Sequence, residues 1–496
     1  MMCISIMQES RKLALVDMLN ASRQCDLLEL RLDKFEKSAD IKDFIAKKPR
    51  PLIMTCRRTK DGGFWEGSEA ERLALLRQCI IDKADYVEIE LDVADQVRPY
   101  PGCQRVISYT NMAETPTDIQ EIYDECLTKK PDVVKLVCKA ATPDEAWPLI
   151  QIVAKASVPT VVVGLGKPGI MLTLLGKRIG APWTYAALER GLETYPGQPT
   201  IQDLQRVYHY SAIGKGVRFI GVTGFTPREY AICAVLNAGL AAATAPARCL
   251  PLGVGSLALL RKVMDAIRLG AVVVDPDHQV PLTAFAQNLE RLAEHTGAVD
   301  LLLHEPDKSW RGHYIVGRAA LLALEKLLNE KHHSDHPLQG RMTLILGTNG
   351  PAHAMAYGVQ KRGGVPIIVS RDTEAAQRLA QQFKCRYVPF AAIYSTSHDV
   401  LIVCEQEEGP TTVKPGLKPT DSGLHPSILK STAPLLDMTT MPWASPLAKE
   451  AQMRGVPVVD NRRIFIEQME LTLKLLMGKE VDPEVIESTL RAVIGE

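Results

Sequence analysis

Three groups of residues in this 496-residue chain are of types and spacings that can do chemistry. Lys135 stands inside the apolar run PDVVKLVC. A lysine in such a run either snorkels or salt-bridges at a strand end, or is buried, where a lowered pKa makes the amine a nucleophile toward ketones. The second group is the turn GTNGPA, with Gly347, Asn349, Gly350, Pro351 and Ala352, set between the strand-like RMTLIL and an Ala-rich helix. Such a turn lets a pyrophosphate approach backbone amides at a helix N-terminus, although a plain loop has the same composition. Ser370 and Arg371 end the next strand-like run. Arginine there suits the 2′-phosphate of NADP, whereas Asp372 beside it argues the other way. His278, in GAVVVDPDHQ, can donate a proton to a carbonyl or simply cap a surface turn.

These residues need elements to hold them. The first 210 residues repeat a short apolar run and then an amphipathic stretch: CISI, LLELRL, PLIMTC, YVEIEL, RVISYT, VVKLVC and PTVVVGL are strand candidates, with WTYAAL as an eighth. SEAERLALLRQCIIDKA and PTDIQEIYDECLTKK have helical spacing, the latter opened by Pro116 and Thr117. Seven or eight βα units predict a (β/α)8 TIM barrel, whose chemistry sits at the C-terminal strand ends. The break SAIGKGV, Ser211 to Val217, is followed by a strand at RFIGVTG and a helix opened by Thr226 and Pro227. NEKHHSDHPLQG reads as a connection, with His332, His333 and His336 in it, rather than as a metal site. The run from Gly347 continues as the βαβ unit of a Rossmann-type dinucleotide fold. Gly409 to Leu435 reads as irregular, and the tail as two helices. The expected architecture is α/β throughout: a barrel over 1–212, a substrate-binding domain over 217–330 completed by helices in 461–496, and a dinucleotide-binding domain over 338–460.

Composition removes several classes of function. With 58 basic and 58 acidic side chains, no net charge draws the chain to nucleic acid or an anionic membrane. No apolar run reaches the roughly 18 to 20 residues of a membrane span. The opening lacks the pattern of a secretory signal, and eleven scattered cysteines without a CxxC pair predict reduced core thiols and a cytoplasmic protein. Neither a metal nor an oligomeric state is indicated.

Motif by motif, residues 1–210 resemble type I 3-dehydroquinate dehydratases. LELRLDKF resembles that family's E-x-R-x-D strand through Glu29, Arg31 and Asp33. TCRRTKDGG resembles T-x-R-x-x-x-E-G-G, with Arg57 retained and Asp61 where glutamate is usual. VVKLV resembles the Schiff-base strand and YPGQPT the closing turn, whose Gln198 would contact substrate. From about residue 217 to the end the chain resembles shikimate dehydrogenases, through GVTGFTPREY, GAVVVDPDHQ, TGAVDLLL, SPLAKEAQMRGVPVVD and NRRIFIEQ. The two resemblances imply a shikimate-pathway protein of aromatic amino acid biosynthesis. It would dehydrate 3-dehydroquinate and reduce 3-dehydroshikimate with NADPH.

The departures fall on the chemistry. The dehydratase histidine position holds Thr110, whose hydroxyl is no general base. The Ser-Arg pair that holds the substrate carboxylate aligns with Leu172 and Thr173, with Arg178 five residues on. Elimination would need another base, with Asp61 and Glu88 as candidates. In the second half the catalytic lysine position is His278, and the dyad aspartate aligns with Val316. The carboxylate-binding serines align with Gly224 and Thr226, and the ring-binding asparagines with Val272 and Asp300, while the last motif keeps Gln468. Two other readings stay open: a degraded paralogue that binds metabolite or nucleotide or scaffolds the pathway, and an enzyme with a changed carbonyl substrate. The dehydratase-like half is expected to be the more active one.

Overall fold

Strict alternation inside each apolar run builds the first sheet. In VVKLVCK, Val134, Leu136 and Cys138 turn toward the surrounding helices, while Val133, Lys135 and Val137 turn inward. A computed structural model describes residues 1–36, 40–332, 334–405 and 424–495. By packing, the chain divides into two units, residues 1–218 with 248–268, and residues 219–247 with 269–496.

In the first unit eight parallel strands follow one another around a barrel: β1 (Met2–Ile6), β2 (Leu27–Arg31), β3 (Leu52–Thr55), β4 (Tyr86–Glu90), β5 (Gln104–Asn111), β6 (Val133–Lys139), β7 (Thr160–Leu165) and β8 (Thr184–Ala186). Their order is β7-β6-β5-β4-β3-β2-β1-β8, and β7 and β8 pack together where the ring closes. Cys3, Leu27, Ile53, Val106, Val133 and Val161 form an apolar floor inside it. One pleat further along, Ser5, Glu29, Thr55, Ser108 and Lys135 make a buried polar layer with Glu88. Two expectations shift slightly. The helix expected to open at Pro116 is Ile119–Thr128, with Asp118 at its N-cap position. The segment 248–268 packs with this unit; Ser256 Oγ donates to Asp144 Oδ1 at 2.6 Å. It begins within β10 (Ala247–Leu252), which follows β9 (Arg218–Thr223) in sequence.

The second unit carries two sheets. β9, β11 (Ala271–Val273), β13 (Leu301–His304), β14 (Trp310–His313) and β12 (Asn288–Leu289) lie side by side in that order. The pairings β11–β13 and β13–β14 are antiparallel. The other sheet is all parallel: β17 (Arg386–Tyr387), β16 (Val365–Val369), β15 (Met342–Leu346), β18 (Val400–Val403) and β19 (Leu435–Asp437). The tail forms the helices Asn461–Met477 and Pro483–Ile494, and both pack on helix Pro227–Ala242. The expected connection NEKHHSDHPLQG is part helix, since Ile315–His332 continues into it; His333 lies outside the described residues. Of the run expected to be irregular, 406–423 also lies outside them, and Pro426–Ile428 forms a short 3-10 turn. Among the described residues no helix is long and apolar enough to cross a membrane.

Candidate active sites

At the C-terminal mouth of the barrel a pocket of about 490 Å³ brings Glu29, Arg31, Arg57, Asp61, Thr110 and Lys135 together. Val137, Val163, Leu165 and Tyr185 give it apolar walls. Register explains the grouping: Ser5 pairs with Glu29 and Ser108 with Lys135, so residues far apart in sequence meet at one level of the barrel. Lys135 is 5% exposed; its Nζ donates to Glu88 Oε2 at 2.8 Å and Glu29 Oε1 at 3.3 Å, and sits 4.1 Å from the Tyr185 ring centre. Glu29 also accepts from Ser5 Oγ at 2.6 Å and Thr55 Oγ1 at 3.1 Å. Arg57 donates to Glu88, and its Nη1 to Thr110 Oγ1 at 2.8 Å. Burial opposes ionisation of Glu88, but Arg57 and Lys135 outweigh it and hold its carboxyl down at about 2. A carboxylate so stabilised is a poor proton acceptor near neutral pH.

Asp61 reaches the pocket, but Arg58 Nε holds its carboxylate at 2.7 Å. Arg31 is clamped by Asp33, with Nε and Nη2 at 2.9 and 2.7 Å. Gln198 sits behind the lining; its Oε1 accepts from the Thr194 N–H at 2.7 Å, and its buried Nε2 has no hydrogen-bond partner among the described residues. The turn before it is fixed by Gly197, at φ +79°, where a Cβ would lie 2.1 Å from the Gly166 carbonyl carbon. Leu172 and Thr173 are buried in helix Ile170–Ile179, and Arg178 donates to the Ile267 carbonyl at 2.8 Å. None of the three lines the pocket, so none supplies it with a carboxylate anchor. The roles of Thr55, Ser5 and Tyr185 were not marked in the sequence; period-two spacing from Glu29 and Lys135 along neighbouring strands is the signal that points to them.

A second polar cluster lies in the other unit. His278 Nδ1 is 2.9 Å from both Asp275 oxygens, and the hydrogen bond to Asp275 raises the His278 pKa. Asp275 also bonds Thr223. Thr226 caps helix Pro227–Ala242 in a capping box with Glu229, which engages its hydroxyl. Arg228, in the first turn, is a residue that sequence reasoning missed. It is 7% exposed, its Nε and Nη1 have no hydrogen-bond partner among the described residues, and Glu229 Oε1 is 3.7 Å away. Its signal was an arginine beside the apolar AICAVL run. Val316 is fully buried and its N–H donates to Asp300 Oδ2 at 2.6 Å. Gln468 is buried on helix Asn461–Met477, with its Oε1 unpartnered among the described residues.

Asp300 is expected to make stability depend on pH. Burial pushes its pKa from 3.8 up to about 6, against the N–H groups of Ile315 and Val316 that bond it. A raised carboxyl pKa in the folded state means stability falls as pH climbs from 3.8 to about 6 and stays reduced above. Asp300→Asn removes that charge, so it is expected to stabilise the protein at pH 7 by up to about 3 kcal/mol, less what weaker neutral capping gives up. Below pH 4 the gain should vanish. Urea unfolding at both pH values checks this; no gain at pH 7 would refute it.

The glycine turn forms as expected. Asn349 caps helix Gly350–Lys361 by accepting from the Ala352 N–H at 3.3 Å, Pro351 occupies its first turn, and Gly350 packs against Gln279. Ser370 is buried at the end of β16, and Arg371 is exposed with its guanidinium 4.3 Å from the Phe390 ring centre. Asp372 is occupied as the N-cap of helix Thr373–Gln382. Glu405, however, reaches into the turn: its Oε2 accepts from the amides of Thr348 at 2.8 Å and Asn349 at 3.1 Å. A pyrophosphate cannot share those two donors with a carboxylate, so NADP does not fit the turn as it stands.

A family model described as type I 3-dehydroquinase matches residues 2–215. Across 508 aligned positions the chain is 25% identical to the "Bifunctional 3-dehydroquinate dehydratase/shikimate dehydrogenase, chloroplastic" of Arabidopsis thaliana, covering 98% of this chain and 83% of that protein. The 3-dehydroquinate dehydratase of Methanopyrus kandleri is 31% identical over 189 residues, which are 37% of this chain and 86% of that protein. The solved structure "Dehydroquinate dehydratase and shikimate dehydrogenase from S. pombe AroM" aligns over 99% of this chain and 98% of that chain, at 17% identity and a TM-score of 0.40.

Proposed function

Because residues 2–215 place the chain in the type I 3-dehydroquinase family, we propose that it acts in the shikimate pathway and binds 3-dehydroquinate as an imine at Lys135. The observation that carries this is a buried amine at the mouth of a barrel, with two carboxylates on it and a pocket above it. Lys135 adds to the ketone, water leaves, and the iminium acidifies the neighbouring C–H. A base then takes that proton, the β-hydroxyl departs as water, and hydrolysis frees the product. Glu29, Arg31, Arg57 and Asp61 are proposed to hold the ring and its substituents, with Gln198 supporting the lining residue Thr194 and reaching substrate only if its side chain turns. Proton removal is the weak step: Thr110 is no base, Arg58 holds Asp61, and Glu88 is held ionised by two cations. Purified protein given 3-dehydroquinate should slowly develop the absorbance of the conjugated enone product. The absence of both the enone and a trapped adduct would sink the reading.

The Arabidopsis relative, matched along nearly the whole chain, supports a shikimate dehydrogenase-like second half, divided into 217–330 with 461–496 and 338–460. There His278, oriented by Asp275, is proposed as the proton-transfer group, with Thr226 and Gln468 beside the substrate. NADP is the dinucleotide this reading requires, at Gly347–Ala352 and Arg371, and Glu405 has to vacate the turn before it binds. His278→Asn is expected to lower shikimate oxidation by about 10²-fold or more. An unchanged rate would remove His278 from the reaction.

A further inference from the structure

We propose that Glu405 decides whether the second half takes a dinucleotide, its carboxylate standing in for the pyrophosphate at the glycine turn. This rests on the reading that the half is built for NADP. The placement follows from the sheet. β18 lies beside β15, so the residues that follow β18 emerge next to the turn that follows β15. Two bonds lock the neighbours together: the Cys404 N–H donates to the Leu346 carbonyl at 2.8 Å, and Asn349 Nδ2 to the Cys404 carbonyl at 2.9 Å. Glu405, the next residue, then has only to fold its side chain back to reach the amides of Thr348 and Asn349.

Gly347 makes room for it. At φ +124° a Cβ would come within 3.2 Å of both the Glu405 amide nitrogen and Oε2. The same turn opens helix Gly350–Lys361, whose N-terminal dipole favours an anion at this spot. The chain therefore fills its own anion position. An incoming pyrophosphate must break two charge-assisted hydrogen bonds and then lie next to the displaced carboxylate, which repels it. Those losses correspond to about 10- to 100-fold in affinity.

The test measures NADPH binding by its fluorescence on the full-length protein, on Glu405→Ala and on Glu405→Gln, with circular dichroism as the check on folding. Glu405→Ala should bind about 10- to 100-fold more tightly than the parent, and Glu405→Gln between the two, since a neutral amide still accepts from the turn but does not repel phosphate. Should Glu405→Ala fail to fold, Glu405→Gln against the parent decides. Equal or weaker binding by the folded variants overturns the proposal and leaves the dinucleotide reading standing. No binding by any of the three, all folded, overturns both.

Discussion

Lys135→Ala should form no borohydride-stable adduct with 3-dehydroquinate, whereas the parent protein should gain the mass of one reduced ligand. Reduction fixes only an imine, and Lys135 is the lysine that lines the pocket. A second effect accompanies the chemical one. Lys135 separates Glu29 and Glu88, both 3% exposed, so removing it leaves two buried carboxylates facing each other. Breaking a buried ion pair from one side costs about 3–5 kcal/mol. Glu88 keeps Arg57 and Glu29 keeps Ser5 and Thr55, which places the expected loss at the lower end.

Acid reports the same coupling. The Glu88 carboxyl is held at about 2 in the folded protein against an ordinary 4.5, so its stabilising contribution is complete above pH 4.5 and fades as pH falls toward 2. Without Lys135 that depression shrinks, and acid unfolding of the barrel should begin at higher pH. Adding Glu88→Gln to Lys135→Ala should recover part of the lost stability and none of the adduct, which separates fold from chemistry. An adduct on folded Lys135→Ala would show another lysine to be the nucleophile and end the assignment.

The barrel was legible because its strands announce themselves. LLELR and VVKLVC stand out as short apolar runs between amphipathic stretches, which is what predicts the strands, and the two-residue period of a strand then puts Glu29, Arg31 and Lys135 on one inward face. What alternation does not show is who faces whom across the barrel. Arg57 on Glu88 and Thr110, and Arg58 on Asp61, depend on register and on a loop that wraps back on itself. Asp61 therefore looked like a free acid in sequence and is a paired one in the fold. The second half was harder for the same reason on a longer scale. The glycine turn is a local pattern, but Glu405 lies 56 residues beyond Asn349 and meets it only because β18 pairs with β15. Arg228 gives only a faint signal, an arginine beside the apolar AICAVL run, and that run alone does not say that the guanidinium is buried.

Thr110→His is expected to raise the rate of enone formation by about 10²- to 10⁴-fold, the usual worth of a well-placed general base. The position is right for it. On β5, Ser108 is level with Lys135 and Thr110 with Val137, so residue 110 stands one pleat above the amine, toward the open end of the barrel. Thr110 lines the pocket, so a side chain at this position faces the bound ligand. Arg57, which now donates to Thr110 Oγ1 at 2.8 Å, would lie beside the new ring and disfavour its charged form. The imidazole should then be a neutral base at pH 7, and the rate should rise with pH through an inflection below histidine's ordinary value of about 6.5. Adduct formation measured by borohydride should stay unchanged, because the substitution leaves Lys135 and its two carboxylates in place. A faster elimination at constant adduct would locate the bottleneck at proton removal. An unchanged rate and pH profile, on protein that still forms the adduct, would mean that a group already in the pocket removes the proton. Glu29, whose Oε1 lies 3.3 Å from Lys135 Nζ, would be the carboxylate to replace next.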